Sequence, residues 1–127
     1  MNPFETHGAF SWSELMTSDP KAAGDFYGKL FGWKIEATDM PDGPYGLIKI
    51  GDASIGGIMV KPPGTPADMP PMWGCYVTVS NLDETVAAVK RLGGGVLMEP
   101  MDVKTVGRMA VIQDSQGATL SVIQYID

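Results

Sequence analysis

The 127-residue sequence has only one cysteine and one histidine. Cys75 cannot form an internal disulfide, and its strand-like context WGCYVTV contains no basic residue, which predicts a small buried side chain rather than a reactive thiol. His7 precedes the first predicted strand, where we expect a solvated side chain without a ligand role. The motifs GxSxG, GxxxxGKS/T and CxxC are absent, so no nucleophile elbow, P-loop phosphate site or CxxC metal site is predicted.

Positive charge is also scarce, because 9 Lys and Arg residues face 15 Asp and Glu residues, and the net charge is −6 without any basic cluster. We therefore expect neither nucleic acid nor a membrane as a partner. No apolar run is long enough to span a bilayer, and the opening MNPFETHGAF has no signal-peptide pattern. These absences predict a cytoplasmic protein.

What the sequence contains is an internal repeat in a chain that is 44% hydrophobic and 19% charged, a composition typical of one soluble domain. Residues of about 8–60 read as strand, helix and three strands, and residues of about 73–126 repeat this order. Between them, KPPGTPADMPPM at 61–72 has five prolines, which exclude a helix or a central strand. We predict a single domain over 1–127, made of two like modules and a proline-rich linker.

Each repeat contains one amphipathic helix with recognisable ends. Asp19 as N-cap, Pro20 at the first helical position and Gly32 at the end delimit the first, and Asn81 and Gly93 delimit the second. Apolar residues recur at helical spacing in both. They are Ala22, Ala23, Phe26, Tyr27 and Leu30 in the first helix, and Leu82, Val86, Val89 and Leu92 in the second.

The predicted strands alternate apolar and polar residues, as in Cys75, Val77 and Val79, which is the period of a half-buried sheet. If the helices cover one face of this sheet, the other face needs a partner or a cavity.

The duplicated order and three segments together resemble the vicinal oxygen chelate superfamily, the group of glyoxalase I, bleomycin-resistance proteins and extradiol dioxygenases. The segments are SDPKAAGDFYGKLFGW, GCYVTVSNLDETVAAVKRLGGGVLMEP and GRMAVIQDSQGATLSVIQ. The resemblance covers nearly the whole chain and implies an α+β fold, in which two βαβββ modules form a curled eight-stranded mixed sheet around a cavity. It also implies a small-molecule ligand and a homodimer.

Metal-dependent members of this superfamily place His, Gln or Glu ligands on the first and last strands of each module. Carried over by the spacing to DFY and to the last DxxG, these positions fall on Trp12, Gly57, Gly74 and Ser121. None of the four is a metal ligand, since divalent metals require imidazole, thiolate or carboxylate donors. The resemblance therefore implies a protein without the family-type metal, and no cofactor is predicted.

The same four positions are predicted to bind an organic ligand, because two glycines leave space and Trp12 offers an aromatic wall. The alternative is that Trp12 fills the middle of the sheet. Glu14 shares the predicted face of Trp12 and is a candidate general base or amine ligand. The alternative for Glu14 is an ion pair with Lys or Arg, or a place at the rim.

Further candidates depend on which way their strands face. Arg108 could bind a carboxylate or phosphate, or instead fix its hairpin by bonding Asp102 or Asp114. Strand parity could also turn several other residues toward the cavity, although a one-residue bulge would reverse the assignment. They are Met59, Trp73 and Gln124, with Tyr45, Lys49 and Met109.

Two functions are predicted. The first is a glyoxalase/bleomycin-resistance-like protein that binds a small organic molecule in the curled-sheet cavity without the usual metal. The second is a lyase, isomerase or dioxygenase of the superfamily with a nonstandard metal site and Glu14 as base.

Overall fold

The computed structural model describes residues 1–40, 43–61, 65–66 and 68–126. The chain forms two compact units, which we name after their helices: the α1 unit, Trp12–Gly74, and the α2 unit, which combines Met1–Ser11 with Cys75–Asp127. Residues 62–64 and 67 of the predicted linker lie outside the described residues, whereas its last residue, Met72, begins a strand.

Within the described residues, each half of the chain contributes four strands and one helix. The elements are β1 Phe10–Thr17, α1 Pro20–Phe31, β2 Lys34–Met40, β3 Gly43–Ile50 and β4 Ala53–Val60, then β5 Met72–Thr78, α2 Leu82–Arg91, β6 Gly95–Val103, β7 Gly107–Gln113 and β8 Thr119–Tyr125. The duplicated order predicted from the sequence is confirmed. No helix in the described part of the chain is long and apolar enough to cross a membrane.

Both helices begin where the sequence predicts. The Asp19 carboxylate accepts a hydrogen bond from Ala22 N at 3.0 Å, and the Asn81 side chain accepts one from Glu84 N at 3.1 Å. Each cap thus satisfies an amide that has no partner within its helix. Helix α1 ends at Gly32, whose left-handed φ of 76° suits glycine.

In the α1 unit, β2, β3 and β4 pair in antiparallel fashion and β1 joins β4 in parallel. Leu15 lies opposite Ile58, and Glu14 lies opposite Gly57. Because neighbouring residues of a strand point to opposite faces, Leu15 and Ile58 face α1 while Glu14 and Gly57 face away from it. The core under α1 consists of Leu15, Ile48 and Ile58, with Ala23, Tyr27, Trp33 and Ile35 packed against it.

In the α2 unit, β5 pairs with β8 in parallel, and β8, β7 and β6 pair in antiparallel fashion. Helix α2 inserts Leu82 and Val86 into the core, where they are 0% and 6% exposed. The other buried residues of this cluster under α2 are Val79, Ala110 and Val122.

The N-terminal segment belongs to the α2 unit. Gly8 N donates to Thr78 O and Thr78 N donates to Ala9 O, both at 2.8 Å. His7 is exposed, as predicted, yet its Nδ1 accepts a hydrogen bond from Ser80 N at 3.0 Å, so it is not a loose tail residue. Burial raises the pKa of Tyr125, and the hydrogen bond to Ser11 at 2.8 Å acts in the opposite direction.

Two local predictions are wrong. Cys75 is exposed rather than buried, because the core under α2 includes Val77 and Val79 but does not extend to Cys75. The apolar stripe of α1 is only partly buried, since Phe26 is 61% and Leu30 57% exposed. Helix α1 packs instead through Ala23, Tyr27 and the buried Gly24.

Candidate functional site

A hydrogen-bond chain of three side chains lies on the sheet face of the α1 unit that points away from α1. Trp12 Nε1 donates to the Tyr45 hydroxyl at 2.9 Å, and the Tyr45 hydroxyl donates to Glu14 Oε2 at 2.5 Å. Strand alternation places Trp12 and Glu14 on one side of β1. Tyr45 reaches them from β3, across the intervening strand β4.

The crossing of β4 by Tyr45 depends on Gly57. Gly57 pairs with Glu14 on one side and with Leu47 on the other, and a Cβ at this position would overlap the Tyr45 hydroxyl. Glycine is therefore needed at position 57 so that the Tyr45 side chain can pass close to the backbone of β4. The space that the sequence predicted at Gly57 is filled by Tyr45.

Glu14 is the buried member of this hydrogen-bond chain, with 7% exposure. An indole nitrogen can only donate, so it fills an acceptor site of the Tyr45 hydroxyl and leaves the phenolic proton for the carboxylate. Because Glu14 is only 7% exposed, the alternative that it lies at the rim is wrong. Hydrogen bonds from a donor favour the charged form of a carboxylate and offset part of the cost of burying it.

This set of donors does not fit the divalent metal of the superfamily. At the positions carried over by the resemblance, Trp12 has only an N–H donor and Gly57 has no side chain, while Glu14 supplies the carboxylate of this face. The part of the chain that the structure describes contains no group of three or more His, Cys, Asp or Glu side chains able to hold a metal ion.

Two other predicted ligand-binding residues lie in the α1 unit near the hydrogen-bonded side chains of Trp12, Tyr45 and Glu14. Met59 pairs with Tyr45 across β3 and β4, so it shares the face of Glu14. A Cβ at Gly74 would lie 4.0 Å from Glu14 O, so this glycine adjoins the backbone of β1.

Trp73 lies on the other side of the α1 unit. Its Nε1 donates to the Tyr27 hydroxyl at 3.2 Å, and its ring packs edge-on against Tyr27 and Trp33. The prediction that it lines one cavity with Trp12 is not compatible with this position, because α1 and its aromatic residues cover the opposite face.

In the α2 unit, Ser121 and Gln124 face opposite sides of β8. Ser121 pairs with Tyr76 on the face away from α2, whereas Gln124 Oε1 accepts a hydrogen bond from Leu82 N at 2.8 Å. Gln124 thus caps the start of α2, and it does not share the face of Ser121.

Arg108 also faces α2, where it bonds Asp83 at 3.2 Å and Asp102 at 3.4 Å. The structural alternative for Arg108, a bond to Asp102, is confirmed. Asp114 accepts instead from Gln116 N and Ala118 N, and these backbone hydrogen bonds lower the pKa of its carboxyl.

Sequence reasoning gave Tyr45 no special weight among residues that parity could turn to the cavity. Gly57 within a strand pattern does indicate a close approach. Which side chain approaches depends on the register of β3 and β4, and this register is visible only in the structure.

The comparisons with known proteins agree with this fold. The model of the Glyoxalase/Bleomycin resistance protein/Dioxygenase superfamily matches residues 9–122. The putative glyoxylase CFP32 of Mycobacterium bovis is 36% identical over 119 residues, and the anthracycline biosynthesis protein DauV of Streptomyces sp. (strain C5) is 32% identical over 127 residues. The matches cover 92% and 91% of this chain but 46% of each relative, so the chain spans about half their length.

A solved methylmalonyl-CoA epimerase from Mycobacterium tuberculosis superposes with a TM-score of 0.69 at 14% identity, covering 94% of this chain and 89% of the epimerase. The hypothetical protein BH1468 from Bacillus halodurans C-125 gives 0.70 at 14% identity, covering 96% and 97%. The predicted α+β class, with an eight-stranded mixed sheet from two βαβββ modules, is confirmed. The chain belongs to the Glyoxalase/Bleomycin resistance protein/Dioxygenase superfamily.

Proposed function

We propose that this protein binds a small planar organic molecule carrying a phenol or amine donor, on the face of the α1 unit formed by Trp12, Tyr45 and Glu14. The observation that carries the proposal is Glu14, a carboxylate with 7% exposure at the end of a polar chain with two aromatic residues.

The chemistry of the three side chains supports this ligand class. A buried carboxylate is a strong acceptor for a hydroxyl or ammonium donor. The half-buried rings of Trp12 and Tyr45 supply the apolar, rigid surface that flat organic molecules prefer. The relatives in anthracycline biosynthesis, at 32% identity, favour a polycyclic phenol among such ligands. In this proposal recognition uses protein side chains without the family-type metal.

The test is a titration with 1,4-dihydroxyanthraquinone, a flat bisphenol, in the Trp33→Phe/Trp73→Phe background, where Trp12 is the only tryptophan. We expect quenching of Trp12 fluorescence and at least a tenfold loss of affinity in Glu14→Gln, because the amide is a weaker acceptor. Glu36→Gln is the matched control, since Glu36 is an exposed carboxylate on β2 that pairs with Lys49 at 2.9 Å. Equal affinity in Glu14→Gln and Glu36→Gln would contradict the proposal.

The second candidate is an enzyme in which Glu14 removes a proton from a carbon acid. The specific observation that favours it is the 2.5 Å contact between Glu14 and the Tyr45 hydroxyl, which puts a base beside a proton donor. The test is product formation from methylglyoxal and glutathione in deuterium oxide, with and without added divalent metals. Glu14→Gln should abolish turnover, and turnover that survives in this variant would exclude Glu14 as the base.

We also propose a homodimer in the cytoplasm, as expected from the resemblance. Light scattering after gel filtration tests the first part, because a dimer has twice the chain mass of 13.6 kDa. A mass of 13.6 kDa at micromolar concentration would contradict it.

A further inference from the structure

A cleft of about 660 Å³ lies in the α1 unit on the side opposite Glu14, between α1 and strands β2 to β4. Ile35, Ala37 and Ile58 form its floor, and Gly24 and Gly28 of α1 form its wall. This volume is within the range of small-molecule sites, about 300 to 1,000 Å³, and the floor is apolar as in such sites.

The corresponding space in the α2 unit is filled by side chains. The caps Asp19 and Asn81 align the two helices, so that Pro20 corresponds to Leu82 and Gly24 to Val86. Leu82 and Val86 are core residues, 0% and 6% exposed. Gly24 is itself buried, and a Cβ there would lie 3.4 Å from Ile35 Cγ1, so Ile35 packs against α1 at the position that Val86 fills in the other unit. The cleft lies beside this contact.

The sheet side of the cleft is also reduced to small side chains. Gly46 pairs with Ile58 as Ala110 pairs with Val122 in the other unit. A Cβ at Gly46 would lie 2.8 Å from Ile35 Cγ2, so glycine lets Ile35 lie flat across the floor. The result is a continuous apolar strip under α1.

The rim of the cleft is charged, and its two ends differ. At the N-terminal end, Lys21 lies 4.0 Å from Asp25, which is one helical turn from each of the two lysines. At the other end, Lys29 has no ion pair within the described residues. Eight residues of helix separate the two lysines by about 12 Å, the length of an extended chain of roughly ten carbons.

We infer that this cleft binds a linear aliphatic carboxylate, with the hydrocarbon on Ile35 and Ala37 and the carboxylate at Lys29. The apolar strip removes methylene groups from water, and the Lys29 ammonium supplies the opposite charge for the anionic end. This site is separate from the proposed function, because it lies on the opposite face of the sheet. Tyr45 also borders the cleft, because its strand β3 is part of the sheet that separates the two sites.

Isothermal titration with decanoate tests the inference, together with amide chemical shifts of Gly24, Gly28 and Gly46. We expect one equivalent of decanoate to bind and to shift these glycines. Gly24→Val, which introduces the residue found in the α2 unit, should weaken binding at least tenfold. Ala22→Val is its control, since Ala22 is an exposed residue of the same helix turn.

The carboxylate is tested separately. Lys29→Gln should weaken decanoate binding by about fivefold to tenfold, whereas Lys34→Gln, on the exposed side of β2, should leave it unchanged. Decanol should bind the wild-type protein more weakly than decanoate does. The affinity for decanol should be the same in Lys29→Gln and in the wild-type protein.

Three results would overturn the inference: no heat with decanoate up to millimolar concentration, shifts confined to other residues, or equal binding by Gly24→Val. Circular dichroism of Gly24→Val ensures that lost binding does not reflect unfolding. Glu14→Gln should retain decanoate binding, so failure of the Glu14 proposal and failure of this one are distinguishable.

Discussion

The two units of the chain have the same order of elements and the same pairing of strands, yet they differ on both sides of their sheets. Under its helix, the α2 unit has Leu82 and Val86 in a closed core, whereas the α1 unit has Pro20 and Gly24 beside a cleft. The repeat thus fixes where the backbone goes, and the residues at equivalent positions decide whether the space under the helix is packed.

The far side of the sheet shows the same contrast. Gly57 on β4 and Ser121 on β8 are equivalent by the alignment of the repeats. Gly57 is crossed by Tyr45, which joins Trp12 to the buried Glu14, whereas Ser121 retains a side chain and pairs with Tyr76. The α2 unit therefore contains more of the ordinary packing, and the α1 unit contains the groups suited to ligands.

The largest expected effect concerns the helix–sheet cores. Leu82→Ala should lower the free energy of unfolding by about 2 to 5 kcal/mol, since it empties a fully buried site. Pro20→Ala, at the equivalent position, should change it by less than about 1 kcal/mol, because Pro20 borders an open cleft. Urea unfolding followed by circular dichroism measures both. Equal losses would mean that the two helices pack alike after all.

The next effect concerns Gly57. Gly57→Ala should destabilise the protein by about 1 to 3 kcal/mol, because the new methyl group displaces Tyr45 and breaks the contact with Glu14. Ser121→Ala should cost less than about 1 kcal/mol. Unfolding of the double variant Tyr45→Ala/Gly57→Ala provides the control: it should be no less stable than Tyr45→Ala alone, since the obstacle has gone. Additive losses would show that Tyr45 is not the obstacle.

These contrasts also show which features can be predicted from sequence. The helix starts at Asp19 and Asn81 were predictable, because a cap bonds amides only three residues away. The duplicated order was predictable for a similar reason, since periodicity and turn residues act locally. The family resemblance then extended these local patterns to a complete fold.

The candidate site was predicted less well, because it depends on register between distant strands. Trp12, Glu14, Gly57 and Met59 share a face, as expected from their parity. Trp73 and Gln124 face the helices, and the irregular register between Ile48 and Lys49 shows why parity cannot be extended reliably along a strand. The contact of Tyr45 with Glu14 joins residues 31 positions apart, beyond the reach of local patterns.

A smaller effect is expected from the charges on the helices. Arg108→Gln removes the bonds to Asp83 and Asp102 and should cost about 0.2 to 1 kcal/mol at low salt, because these groups are exposed and screened. Lys21→Gln, which removes the longer pair with Asp25, should cost about 0.3 kcal/mol or less. Urea unfolding at 20 mM and 1 M salt compares the two variants, because the Debye length falls from about 20 Å to about 3 Å between these concentrations. An Arg108 effect that is unchanged by salt would contradict an electrostatic role.

The smallest difference lies in the turns that precede the last strand of each repeat. In the α2 unit, Asp114 accepts hydrogen bonds from Gln116 N and Ala118 N, and these bonds lower the pKa of its carboxyl below the ordinary value. In the α1 unit, the turn is made by Gly51, with φ of 58°. Since the carboxyl pKa of Asp114 is lower in the folded state, the stability that this carboxylate contributes is present above the unfolded pKa of about 3.9. This stability is lost as pH falls through the folded pKa.

Asp114→Asn should therefore unfold at a lower urea concentration than wild type at pH 7. The difference between their urea midpoints should narrow in strong acid, because both side chains are then neutral. Asp114→Ala, which has no acceptor, should remain less stable than Asp114→Asn at both pH values, and a gap between wild type and Asp114→Asn that does not change with pH would assign the turn to hydrogen bonding without charge.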